Sequence, residues 1–303
     1  MAMPISNVSV VIATLGGGQL SKTIANINSG SLVPIEILIC IPEQYSPRVN
    51  GIHDSNVRII KTPFMGQVAQ RAEGFRQAKE ALVMQLDDDI KVAPDSLEIM
   101  TRSLLLLGRG NVVGPVFFNS VTNEPLTKMD GNFRGVVDSL YASLIDGLPW
   151  GLRRMGTLSK IGACGCVDPR YCQVELFPTA WLPGGCSISF REDLILESLF
   201  PFPGKAYSED LVHSVLRNRN GIKHHVSTLA KVTIDPPLRG VTMESVFAEV
   251  RARRYVANLL EGSTTHATVA AVLNIVKRQI AALLLAIVPK RSNPKRFTSD
   301  IET

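Results

Sequence analysis

The sequence predicts an α/β fold: a mostly parallel sheet flanked by helices, followed by a C-terminal helical extension. Five runs (9–13, 35–41, 57–61, 81–86 and 112–117) are predominantly apolar instead of strictly alternating, as strands covered on both faces are. The stretches between them carry helical spacing and turn residues, so strand and helix alternate up to Phe117. Charge marks off the end of the chain. Between Arg251 and Arg296 there are nine Lys/Arg and one acid, more positive charge than the net +5 of the whole chain, so the remainder is net acidic.

The first run ends at Thr14-Leu15-Gly16-Gly17-Gly18, a strand emptying into a flexible loop. Ser21 is placed to cap a helix over 22–28. Strands over 35–41 and 57–61 and a helix over 67–79 come next. The strand over 81–86 ends in Asp87-Asp88-Asp89, and Pro94-Asp95 opens a helix to about residue 107. After the strand at 112–117 the pattern weakens. An amphipathic stretch over 136–148, then Pro149-Trp150-Gly151 and a Gly- and Cys-containing loop, reads as an insertion over 130–190 that walls a pocket. Its end, from Trp181 to Phe190, is a loop feeding a strand. Ser208-Glu209-Asp210 starts a helix, and a strand runs up to Asp235. Beyond Gly262, Val269, Val272, Leu273, Val276 and Ile280, then Leu283, Leu284 and Ile287, recur at i, i+3, i+4, i+7 steps. The organisation is thus a domain over 1–243, with the 130–190 insertion, and a basic helical extension over 244–303.

Composition narrows the function classes. A chain of 303 residues with 45% hydrophobic and 19% charged residues buries a full core, as one large domain with an appendage or as two. Positive charge confined to one end argues against binding nucleic acid across the surface. The N-terminus lacks a basic n-region; the uncharged stretch over 1–21 is broken by Pro4 and Gly16-Gly17-Gly18, and no continuous apolar run reaches the roughly 18 residues of a spanning helix. The expected location is therefore cytoplasmic, with reduced thiols. Cys164, Cys166, Cys172 and Cys186 have the spacing C-x-C-x5-C-x13-C, which fits no common zinc pattern, and Cys40 falls within an apolar strand. The apolar face near the C-terminus is followed by Lys290, Arg291, Lys295 and Arg296. Residues 266–296 therefore suit a peripheral contact with an anionic membrane, and the face suits packing on the domain or a partner equally.

Three adjacent carboxylates repel one another, so a triplet at the end of a buried strand calls for a cation, or else forms a solvated acidic turn. Side chains repeat every second residue in extended chain, so Asp87 and Asp89 share a side and Asp88 faces away. Ligands of open parallel sheets gather beyond the carboxyl ends of the strands, which places the 14–18 loop and the triplet in one crevice.

Several segments, read together, resemble the family 2 glycosyltransferases, which have the GT-A fold. The opening strand Val8 to Thr14 is similar to that family's first strand. Gly66, Arg71, Gly74 and Ala78 follow its G-x-x-x-x-R-x-x-G-x-x-x-A helix. Leu86-Asp87-Asp88-Asp89 resembles its D-x-D element, Pro183 to Arg191 its acceptor-side G-G segment, and Ser208-Glu209-Asp210-Leu211, with Arg217 and Gly221, its E-D motif. The resemblance covers about residues 7–240, and five motifs in the family's order are far more specific than any one.

What the resemblance implies is an inverting, metal-dependent transfer of a sugar from a nucleotide-diphosphate donor to the hydroxyl of a carbohydrate or lipid-linked acceptor, as in bacterial polysaccharide or glycolipid synthesis. Mn²⁺ or Mg²⁺ would neutralise the leaving diphosphate. Asp89 is the closer metal ligand, Asp87 contacts the ribose or the metal, and Thr14 and Asp88 belong to the nucleotide side. Arg71 pairs with the triplet or the diphosphate. Asp210 is the general base, kept ionised at a helix N-terminus. Trp181, Gly184, Gly185 and Glu209 line the acceptor side, with Trp150 and Trp181 able to stack on a sugar or lipid. Two departures stand out. The second strand ends Cys40-Ile41-Pro42-Glu43 where the family has an acidic D-D-G-S segment, so Glu43 substitutes as base reader. Asp235 stands where the family often has a metal-binding His, and serves as an oxygen ligand or a turn residue. His224 and His225 read as ordinary strand or surface histidines. A non-catalytic nucleotide-sugar binder, or a sugar nucleotidyltransferase without its basic Gly-rich signature, is the alternative.

Overall fold

The computed structural model describes residues 5–126, 133–197, 200–202, 206–235 and 242–287. In chain order the elements are β1 (Ile5–Ala13), α1 (Leu20–Asn28), β2 (Val33–Pro42), β3 (Val57–Thr62), α2 (Gln67–Gln77), β4 (Leu82–Leu86), β5 (Lys91–Val92), α3 (Ser96–Leu107), β6 (Asn111–Asn119) and α4 (Phe133–Leu144). There follow β7 (Leu176–Thr179), β8 (Cys186–Phe190), α5 (Glu209–Arg219), β9 (Lys223–Ile234), α6 (Met243–Leu259) and α7 (Thr264–Ile287). One sheet runs β3-β2-β1-β4-β8-β6-β9-β5, with β7 also on β9. The first four strands are parallel, as their continuous apolar character requires. The other half is mixed: β8 is antiparallel to both β4 and β6, and β6 and β9 are parallel.

Alternation within each strand divides the core. Val10 and Ile12, Ile37, Ile39 and Ile41, and Met84 and Leu86 face α1 and α3. Val11, Leu38, Cys40 and Val83 face α2 and its Phe75. Both faces are dry, so neither can tolerate the polar residues that a one-sided sheet alternates. α2 lies close to the sheet because Gly74 has no side chain. A Cβ there would sit 2.4 Å from Val11 Cγ1 and 2.6 Å from Cys40 Sγ.

The structure moves some boundaries. Helix α1 begins at Leu20, with Gln19 at its N-cap and no side-chain cap, so Ser21 lies inside it instead of capping it. Leu20 is buried with Thr23, Ile24 and Ile27, and that apolar contact draws the start of the helix back. β5 and β7 are too short for any periodicity, and both pair with the same side of β9. No disulfide forms among the described residues. The C-terminal helices pack on the 133–182 segment: Ala257, Ala267 and Ala270 enclose Ile161, and Arg253 pairs with Asp146 at 2.6 Å. Leu283, Leu284, Ile287 and the basic residues from 290 onward have side chains outside the described residues.

Candidate active site

The carboxyl ends of β1, β2 and β4 meet, and α2 ties them together. Gln70, buried inside the chain, donates from its Nε2 to the carbonyls of Thr14 (2.9 Å) and Cys40 (2.8 Å). The next residue of the helix, Arg71, is fully buried. Its Nη2 reaches Asp87 Oδ1 at 2.8 Å and its Nη1 reaches Glu209 Oε1 at 2.7 Å. Of the two partners expected for Arg71, the triplet is the one it has, and α5 supplies a second carboxylate. Gln67 adds a third bond, from its Nε2 to Asp87 Oδ1 at 3.0 Å.

The triplet splits as alternation demands. Asp87 and Asp89 line a cavity of about 390 Å³, while Asp88 turns away to accept a hydrogen bond from Thr14 Oγ1. The Asp88 carbonyl accepts from Thr23 Oγ1 at 2.9 Å, so the loop after β1 and helix α1 both hold the turn. Burial raises the Asp87 carboxyl to about 6. Arg71 pulls it down, but Glu209, Asp89 and Asp88 push it up again, and Arg71 divides its charge between two carboxylates. Burial also raises Asp88, with Asp89 adding to it against the Thr14 hydrogen bond.

The opposite wall comes from α5 and the segment before β8. Asp210 lines the same cavity as Asp87 and Asp89. Glu209 lies beneath it, between Arg71 and His213, whose Nδ1 is 3.1 Å from Glu209 Oε2. Burial alone would raise Glu209, yet Arg71 and His213 hold its carboxyl down at about 2. The result on Asp210 is the reverse. Burial, then the Glu209 charge, lifts Asp210 to about 7, against hydrogen bonds from backbone N–H groups that include Leu211. The helix N-terminus therefore does not keep Asp210 firmly ionised, because desolvation beside a fixed anion outweighs the end of the helix.

Gly184 and Gly185 are required by distance. A Cβ on Gly184 would lie 2.7 Å from Glu209 Oε1, and one on Gly185 would lie 2.6 Å from Ile90 Cδ1 and 3.3 Å from Asp87 Oδ2. The Gly185 carbonyl also accepts from the Asp87 N–H at 2.8 Å, and Gln85 Nε2 donates to the Gly184 carbonyl. This pair of glycines thus lets the two halves of the site close on each other. Trp181 lines the cavity but is buried, with its Nε1 donating to the Gly165 carbonyl at 3.0 Å, whereas Trp150 is half exposed. Asp235 reaches the cavity from the end of β9, its Oδ1 accepting from Ser120 Oγ. Asp89 and Asp235 also line a smaller cavity of about 80 Å³ that includes Lys22 and Lys91.

Glu43 is exposed after β2 and lies outside both cavities. His224 is buried in β9, its Nδ1 3.0 Å from Asn218 Oδ1, and burial lowers it to about 3, so it is a neutral core histidine. His225 Nε2 meets Asn111 Oδ1 at 3.0 Å. Gln67, Gln70, Gln85 and His213 escaped the sequence reading. Each left a signal: a polar i, i+3 pair on a buried helix face, one amide inside an apolar strand, and a His four residues after Glu209.

Among the described residues no three His, Cys, Asp or Glu side chains gather closely enough to form a complete cation cage. The donor set nonetheless suits a hard divalent ion. Mg²⁺-type ions are held by one or two carboxylates plus substrate phosphates, and Asp87 and Asp89, with Asp235, give oxygen donors on one cavity.

Comparison with known proteins agrees with this layout. Residues 41–161 match the family model described as glycosyl transferase family 2. That segment is similar to glycosyl transferase family 2, and the fold is of the GT-A type. That matched stretch holds the α2 helix, Arg71 and the whole acidic triplet. The crystal structure of GalNAc-T7 with UDP, GalNAc and Mn²⁺ superposes with a TM-score of 0.57 and 17% sequence identity, over 81% of this chain. The likeness is one of fold, and the chain spans about half (47%) of the length of that structure's chain. No curated protein sequence matches the chain.

Proposed function

We propose that the chain is an inverting glycosyltransferase that takes a sugar from a nucleotide-diphosphate donor and transfers it to the hydroxyl of a carbohydrate or lipid-linked acceptor. The observation that carries this reading is a single cavity with Asp87, Asp89 and Asp235 on one part of its wall and Asp210, lifted to about 7, on another. A divalent cation, when bound by Asp89 with Asp87 and Asp235, supplies charge neutralisation to the departing diphosphate. Mn²⁺ and Mg²⁺ are the ions such oxygen donors favour.

The protein's own residues do the rest. Asp210, ionised above about pH 7, takes the proton of the acceptor hydroxyl as that oxygen bonds to the anomeric carbon. The bond from that carbon to the diphosphate breaks, and its electron pair leaves on the phosphate oxygen. Glu209, fixed by Arg71 and His213, keeps the carboxylate of Asp210 basic by repulsion. Thr14 holds Asp88 away from the cavity, so only alternate members of the triplet face the donor. Trp181, Gly184 and Gly185 shape the acceptor side, and Glu43, exposed at the end of β2, is the candidate to read the base. The family match supports this reading, and a Mn²⁺ and UDP complex of a protein of the same fold supports the cofactor and donor class.

The test is calorimetric titration of the chain with UDP, GDP, CDP and dTDP, each with and without Mn²⁺. Selective, Mn²⁺-dependent binding of one diphosphate, lost in Asp89→Ala, is expected. Failure to bind any of them removes the donor assignment. Tight binding with no turnover on any acceptor, unchanged in Asp210→Asn, establishes a binding subunit instead.

A further inference from the structure

Two helices of this chain are packed inside out. On α7 the inward residues are mostly small: Ala267, Ala270 and Ala271 are at 0% exposure, Ile275 is the one large aliphatic turned inward among the described residues, and the helix seats on α6 and Ile161. Its large apolar residues Val269, Val272, Leu273, Val276 and Ile280 are 39–52% exposed. Helix α4 repeats the arrangement, with Ser139 and Ala142 inward and Val136, Val137, Leu140 and Leu144 at 48–67% exposure. Burying aliphatic side chains is the main source of stability, so a helix that buries alanine and shows valine to water leaves that free energy unused.

The helices lie side by side. Lys277 Nζ meets Asp138 Oδ1 at 2.9 Å and stands 4.4 Å from the Tyr141 ring, and His266 Nε2 meets the Ile145 carbonyl at 2.9 Å. On each helix this contact row falls between the inward row and the exposed row, given about 100° of rotation per residue. Both exposed rows therefore open on the same side and form one apolar face. Sequence periodicity marks each half separately, in the amphipathic stretch over 136–148 and in the apolar steps beyond Gly262, but not their pairing. The α4 half belongs to the segment that walls the cavity through Cys166, Val167 and Trp181.

Charge identifies the occupant. Between Glu261 and Asp300 there is no acid, and the basic residues there are Lys277, Arg278, Lys290, Arg291, Lys295 and Arg296; Lys277 and Arg278 pair with Asp138 and Glu249, so the four from Lys290 onward supply the charge for a partner. A second copy docked on this face would set these cations against their own counterparts, which disfavours it. A bilayer with anionic headgroups offers an apolar boundary to the aliphatic rows and negative charge to the basic residues. Among the described residues no helix is long and apolar enough to cross a membrane. We propose that the paired α4–α7 face lies in the interfacial plane of an anionic bilayer. This stands independently of the transfer reaction.

The test is co-sedimentation of the full chain with vesicles of phosphatidylcholine alone or mixed with phosphatidylglycerol. Recovery is expected on the mixed vesicles, falling with added salt, and not on phosphatidylcholine alone. Leu140→Glu/Leu144→Glu and Val272→Glu/Val276→Glu, at positions already in water, are each expected to weaken binding by about tenfold or more, the worth of one buried aliphatic side chain. Replacing Lys290, Arg291, Lys295 and Arg296, which lie beyond the described residues, by Gln is expected to weaken it on the order of tenfold or more and to abolish the salt dependence. Melting temperature and Mn²⁺-dependent diphosphate binding should not change in any of these variants. The proposal is overturned if vesicles without phosphatidylglycerol recover the chain equally, or if the α4 variant binds as well as the parent. A lipid-free dimer that Val272→Glu/Val276→Glu dissociates also overturns it, by making the face a contact between copies.

Discussion

Asp210→Asn should make the protein more stable and less active at once. The ordinary aspartate value of 3.8 rises to about 7 here, through burial and then the charge of Glu209. Between those two values the folded protein holds a proton that the unfolded chain has already lost. Stability therefore falls as pH rises through that window, and the whole cost is present above about pH 7. At about 1.4 kcal/mol per pKa unit the difference sets a ceiling of about 4 kcal/mol. Asp210 lies on a cavity wall that water reaches, so about half of that ceiling, roughly 2 kcal/mol, is expected. Asparagine removes the charge and keeps an Oδ1 for the Leu211 N–H, 2.9 Å away. With an unfolding entropy of about 2.1 cal/mol/K per residue, the variant should melt about 3 °C higher at pH 8 and no higher at pH 4. Differential scanning fluorimetry across that range measures it. In the same variant sugar transfer should drop by about 10²–10⁴-fold, the usual worth of a general base. The parent's turnover should rise with pH through about 7. Equal melting of the two proteins at pH 8 would refute the burial argument, and full turnover in the variant would refute the base assignment.

Other expectations follow from the same contacts. Arg71→Met leaves Asp87 and Glu209 buried without their shared cation and should cost about 3–5 kcal/mol in chemical denaturation. Arg71→Lys, with one ammonium in place of a fork, should recover only part of that loss. Gly185→Ala drives a methyl toward Ile90 Cδ1 and should destabilise by about 1–3 kcal/mol, with weaker acceptor binding seen as a raised KM. Asp89→Ala should remove the Mn²⁺ dependence of diphosphate affinity measured by calorimetry, while Asp88→Ala, which loses only the Thr14 contact, should retain it.

The parallel half of the sheet was legible because burial on two faces writes itself as unbroken aliphatic runs, such as Val10 to Ala13 and Ile37 to Ile41. Asp87, Asp89 and Asp210 were legible as candidates because ionised groups beside apolar strands and at a helix start are conspicuous. Their common cavity was not, since β8 brings Gly184 and Gly185 beside Asp87 from about a hundred residues away. The environment of Asp210 was equally hidden. Its sequence context predicts a helix-end carboxylate, whereas the pairing of Glu209 with Arg71 is a tertiary event that fixes a neighbouring anion. The short strands β5 and β7 had no periodicity to read. The inward row of α7 was left open for another reason, because periodicity marks which residues share a face but not which face the protein keeps for itself.

One guanidinium joins Asp87, at the end of β4, to Glu209, at the start of α5. Those residues stand 122 positions apart. The consequence is a constraint on change. Loss of the Arg71 charge alone strands two carboxylates in the interior, whereas loss of either carboxylate leaves the guanidinium one partner, so the cation is the member of the set least free to change. For anyone hoping to graft a new acceptor specificity by transplanting the α5 half onto a different donor half, the compatibility of that trio, more than the similarity of the surrounding loops, decides whether the hybrid has an intact site.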